Sequence, residues 1–158
     1  MDAVPTTPNL DDLKKPLPAA RAILSGVRVA MAVLWTVVIM MLCWLPGSMV
    51  HELEDGSSWF KIPDLDKIIH AGIFVVFSVL WARALTSRRR FAWVALGGFV
   101  LAILTELVQN LPIVGRDGEV SDAITDFGGV LAGMVLAPLV EPVARFIETL
   151  ITGRRLHT

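Results

Sequence analysis

The sequence predicts an all-α integral membrane bundle of four transmembrane helices. Three observations carry that expectation. A run of 22 residues, 29–50, holds no charged side chain. At about 1.5 Å per residue it is long enough to cross a hydrocarbon layer of roughly 30 Å. Three further apolar segments, 68–85, 91–111 and 123–140, keep their ionisable groups near an end. The chain is also 54% hydrophobic and only 18% charged, against about 25% charged residues in soluble domains. Its formal net charge of −1 gives no reason to expect a nucleic-acid partner.

The elements follow in order. Residues 1–26 form an N-terminal tail, expected to be poorly ordered because Pro5, Pro8, Pro16 and Pro18 interrupt any helix. The membrane domain covers 27–140, with spans near 27–46, 68–85, 91–111 and 123–140. The first apolar run begins too late and is too long for the core of a signal peptide. Cys43 is the single cysteine. It offers no disulfide framework and no thiolate metal site, and reads as a small apolar residue facing lipid or a neighbouring helix.

In the fourth span Gly129 and Gly133 make a small-residue pair at four-residue spacing, with Gly128 and Ala132 beside them. Such pairs let helix backbones approach closely in a membrane. The expected role is helix packing, and the same face could serve an oligomer. Residues 141–158 complete the chain. There Val143, Phe146, Ile147, Leu150 and Ile151 share one helix face. The segment reads as an amphipathic helix on the cytoplasmic leaflet, with a plain continuation of the fourth span as the alternative.

Basic residues set the expected orientation. Lys14, Lys15, Arg21 and Arg28 precede the first span; Arg83, Arg88, Arg89 and Arg90 flank the second turn; Arg145, Arg154 and Arg155 follow the fourth span. The loops 46–67 and 112–122 are poorer in Lys and Arg. Both termini are therefore expected in the cytoplasm and both of those loops outside. Trp44, Trp81 and Trp93 are placed near span boundaries, as in aromatic belts. Trp59 and Phe60 in the first outer loop are read as dipping into the interface. His51, among Glu52, Glu54 and Asp55, reads as part of a solvated acidic loop.

On this topology the remaining ionisable residues gather on one side. Asp66 and Lys67 open the second span, and His70 lies one turn deeper, on the same face as Asp66. Glu106 and Gln109 stand near the outer end of the third span. Asp122 and Asp126 open the fourth, and Arg116 lies in the loop between them. A charge inside hydrocarbon costs at least about 2.5 kcal/mol and normally faces a bundle interior with partners. The expectation is a polar pocket, open to the outer face, lined by the second, third and fourth spans. Capping of the fourth helix competes with a site role for Asp122; Asp126 is too deep for a cap.

Three stretches carry a family resemblance: DKIIHAGIF (66–74), TELVQNLPIVGR (105–116) and SDAITDFGGVLAG (121–133). Together they resemble the VanZ-like family of small multi-pass bacterial membrane proteins, named for a member linked to resistance to the glycopeptide teicoplanin. Asp66, Lys67, His70, Glu106, Gln109, Arg116 and Asp122 fall on its pattern, across residues 36–138. Asp126 stands where that pattern has Asn. The resemblance implies a bacterial cytoplasmic-membrane protein with an envelope-related role and an influence on glycopeptide susceptibility.

The leading expectation is non-enzymatic. Arg116, Lys67 and His70 would contact an anionic group of an envelope lipid or cell-wall precursor, while Glu106, Gln109, Asp66 and Asp122 order those cations; Asp126 completes the expected ligand-binding set. One alternative is a membrane enzyme acting on a lipid-linked substrate, with Glu106 and His70 as the catalytic acid–base pair. Another is a small proton-coupled transporter subunit using the same two residues. His70, Glu106 and Asp122 could be drawn as three metal ligands. With no HExxH and no second histidine nearby, neither a metal nor a cofactor is expected.

Overall fold

In a computed structural model, residues 18–46, 65–115 and 118–151 can be described. They form helices α1 (Pro18–Cys43), α2 (Leu65–Ala84), α3 (Arg90–Gln109) and α4 (Val120–Ile151). All four are long and apolar enough to cross a membrane, in line with the sequence expectation. The loop residues His51, Trp59 and Phe60 lie outside the described residues.

Two boundaries differ from the sequence reading. Helix α1 begins at Pro18, earlier than the expected start near residue 27. A proline fits the first turn of a helix because its missing N–H has no intrahelical acceptor there. The amphipathic segment from Glu141 is helical, as expected. It is not set off as a separate element but continues α4 without a break, past Pro138 and Pro142, for 32 residues in all. That is about 48 Å of helix, well beyond the hydrocarbon thickness.

Helix α4 packs mainly on α2 and then on α3, and α1 packs on α2. Small residues explain the α2–α4 seam. Gly129 and Gly133 are buried against α2. A β-carbon on Gly129 would collide with the Ala71 backbone. One on Gly133 would stand 2.5 Å from the Val75 carbonyl oxygen and 2.7 Å from the Ser78 β-carbon. The glycine stripe that the sequence offered as an oligomer face is thus filled by α2 of the same chain. Gly98 on α3 makes room for Val130 in the same way.

The apolar core joins Ile39, Phe74, Phe77, Val94, Leu101 and Val130, with Cys43 buried at its edge. The Trp35 indole N–H donates to the Ile73 carbonyl at 2.9 Å, and that of Trp81 to the Thr36 hydroxyl at 3.0 Å. Trp81 was expected in an aromatic belt; it is half-buried and ties α2 to α1. Trp44 and Trp93 are exposed, as are Leu34, Leu107, Val135 and Leu139. An outer surface this apolar suits hydrocarbon as its solvent.

Candidate functional site

The α2–α4 seam fixes the site. Gly129 lies against Ala71, so Asp126, one turn earlier on α4, comes level with His70 on α2. The His70 Nδ1 and Asp126 Oδ1 atoms are 3.0 Å apart. Helix α3 packs across both neighbours and brings in Thr105, Glu106 and Gln109 from its last turns. His70, Glu106 and Asp122 are 6–8% exposed, Gln109 2%, and Thr105 and Asp126 fully buried. One donor atom each from His70, Glu106 and Asp126 lies within 4.8 Å of the others.

The hydrogen bonding of this cluster is incomplete. Among the described residues, neither Glu106 carboxylate oxygen has a hydrogen-bond partner, and Asp126 Oδ2 has none. The Glu119 backbone and Thr105 neighbour the two carboxylates. Thr105 donates to the Ala102 carbonyl at 2.8 Å. A buried acceptor left unpaired costs about 1–3 kcal/mol, and more when charged. Asp122 sits in the first turn of α4, where the helix dipole favours a carboxylate. The Ser121 hydroxyl approaches it at 3.4 Å and Glu119 Oε2 at 2.8 Å.

Of the residues singled out in the sequence, four converge: His70, Glu106, Asp122 and Asp126, with Gln109 buried one turn beyond Glu106 on α3. Lys67 is half-buried on α2, one turn before His70. Arg116 and the Asp66 side chain lie outside the described residues. A carboxylate on His70 comes from Asp126, 56 positions away; the i, i+4 pairing expected with Asp66 falls on a side chain outside the described residues. Thr105 and Asn110 were not singled out. The Asn110 side chain donates to the Glu106 carbonyl at 3.0 Å and accepts from the Gly118 N–H at 3.3 Å. It thereby folds the α3–α4 loop back over the last turn of α3. An Asn just past an apolar run was the available signal, since Asn favours helix ends and turns.

At the opposite end of the bundle Arg28, Arg83 and Arg145, among the basic residues that set the expected orientation, are paired with acids. Arg28 forks onto Glu148 at 3.0 and 2.6 Å. Arg83 bridges Glu148 at 2.7 Å and Glu141 at 2.9 Å, and Arg145 joins Glu141 at 2.7 Å. These pairs link α1, α2 and α4.

A family model described as VanZ/LLP1 matches residues 28–141. The chain belongs to the VanZ/LLP1 family. The match runs from Arg28 on α1 to Glu141 on α4 and includes every residue of the polar cluster. No curated protein and no solved structure matches. With four helices able to span a bilayer, this VanZ/LLP1 chain is a multi-pass membrane protein. The cluster belongs to the family's membrane domain, and Glu148 of the paired end lies beyond the matched region.

Proposed function

We propose that this VanZ/LLP1 protein is a non-enzymatic envelope component of the bacterial cytoplasmic membrane. In this reading both termini face the cytoplasm, and the polar cluster opens outward toward an anionic envelope lipid or cell-wall precursor. The observation that carries the proposal is the set of unpaired, buried carboxylate oxygens on Glu106 and Asp126 beside His70. Buried acceptors that no described residue pairs call for a donor. A headgroup carrying both an anionic oxygen and hydroxyl or amide donors meets that need. Lys67, His70 and Arg116 would take the anionic oxygen, while Glu106 and Asp126 would accept from the donors. Gln109 and Asp122 complete the wall.

The direct test is binding of lipid-linked cell-wall precursor to the purified protein in nanodiscs, against phosphatidylcholine as the neutral reference. Glu106→Gln and Arg116→Ala should each weaken binding by about tenfold or more, one lost charged contact being worth about 1.5–3 kcal/mol. In a strain where deletion alters glycopeptide susceptibility, both variants at normal abundance should reproduce the deletion. Wild-type behaviour of both would remove the proposal. Glu106 also favours a second reading, since an unpaired buried carboxylate beside a histidine can act as a general acid or base. A mass change in a lipid-linked substrate after incubation with the protein would select that reading.

A further inference from the structure

We propose that His70, Glu106 and Asp126 form a binding site for one divalent first-row metal ion of the zinc or manganese class. The three side chains come from three helices and present donor atoms within 4.8 Å of one another. All are more than nine-tenths buried, and three of their four carboxylate oxygens have no hydrogen-bond partner among the described residues. Donors bound to one ion at about 2.1 Å stand roughly 3.4 Å apart in tetrahedral geometry. The His70–Asp126 separation of 3.0 Å is already of that size, so closing the site needs Glu106 to move by about an ångström, within reach of a rotamer adjustment.

Charge argues for a cation here. Two buried carboxylates and a histidine lie within 4.8 Å of one another, and a third carboxylate, Asp122, lies nearby. Deep burial of unpaired charge is expensive, and ion coordination is one of the few arrangements that offsets it. One imidazole nitrogen with two carboxylate oxygens is a mixed donor set suited to Zn²⁺ or Mn²⁺ in preference to a soft metal. The donor trio differs from the one drawn from sequence spacing, because Asp126 takes the place of Asp122.

Three protein donors leave a coordination position open, as in zinc sites that receive an exogenous ligand. A dication at the centre also reverses the local charge of an acidic cluster. It would explain how three carboxylates can surround an anionic headgroup. Only this last point rests on the proposed function; the ion site itself does not.

The test uses the full chain in detergent, stripped with a chelator and free of added headgroup. Titration with Zn²⁺ and Mn²⁺ by calorimetry, with Co²⁺ as an absorbance probe, should give one ion per chain. His70→Gln, Glu106→Gln and Asp126→Asn should each weaken binding by at least about 100-fold, since even residues that only support a ligand cost 10–100-fold. Glu119→Gln, an exposed acid nearby, should bind as wild type. Helical circular dichroism of the chelated variants should match wild type, which separates lost ligation from lost folding. No stoichiometric uptake of either ion by wild type would overturn the site, as would wild-type affinity in all three variants. Precursor binding by the chelated protein at full strength would overturn the ion's part in headgroup binding while leaving the proposed function standing.

Discussion

At one end of the bundle Arg28, Arg83, Glu141, Arg145 and Glu148 form a chain of ion pairs at 2.6–3.0 Å. At the other end His70, Glu106, Asp122 and Asp126 are buried together, yet both Glu106 oxygens and one Asp126 oxygen are unpaired among the described residues. The first arrangement is self-sufficient. Glu148 takes the Arg28 guanidinium in fork geometry, which suits arginine better than lysine, and Glu141 accepts one N–H each from Arg83 and Arg145. It clamps α1, α2 and α4 and asks for nothing from outside. The second is held in place by the α2–α4 glycine seam against its own electrostatic cost. Groups kept at a cost by a surrounding fold tend to mark functional sites. The same chain therefore uses charge as a fastener at one end and holds it in reserve for a ligand at the other.

Substitutions can break or sharpen that contrast. The largest effect should come from the seam on which the polar end depends. Gly133→Leu would force a side chain into the Val75 carbonyl and Ser78 and should cost about 3 kcal/mol or more. Loss of the monodisperse peak on size exclusion, or a steep fall in melting temperature, reads it. At the paired end, Glu148→Gln leaves Arg28 and Arg83 without their shared carboxylate. Because these groups are partly exposed, the expected loss is about 2 kcal/mol rather than the larger cost of a fully buried pair. It should shrink in high salt.

Asp126→Asn is the next smaller case. It weakens the contact with His70 but also removes the charge on the unpaired Asp126 oxygen. The two nearly cancel, and stability should stay within about 1 kcal/mol of wild type. The smallest effect belongs to Arg145→Ala, an exposed i, i+4 partner of Glu141, worth about 0.3 kcal/mol. Chemical or thermal denaturation in one detergent would rank all four.

Much of the polar end could be read from sequence because a charge inside an apolar run is conspicuous. Glu106 and Asp126 stand out against their neighbours, and span ends told that both belong with His70. The pairings could not be read so directly. The Asp126 partner of His70 depends on the vertical register of α2 against α4, which Gly129 and Ala71 set by contact. Asp66, closer in sequence, looked the better partner on helix periodicity alone. The paired end was missed for a similar reason. Arg28 and Glu148 are 120 positions apart, and the basic residues already had a sufficient explanation in membrane orientation. Glu148 becomes reachable only because α4 runs on through Pro138 and Pro142, where the amphipathic pattern had suggested a separate surface helix.

The melting temperature of Glu106→Gln against wild type, both in detergent with chelator, tests the contrast most directly. The substitution keeps the side chain's shape and removes a buried charge that nothing in the described chain pairs. If the polar end is held against its own cost for a ligand, the variant should melt at or above the wild-type temperature. A fall as large as that of Glu148→Gln would show that Glu106 is a structural fastener like its counterparts at the other end, and would contradict the account.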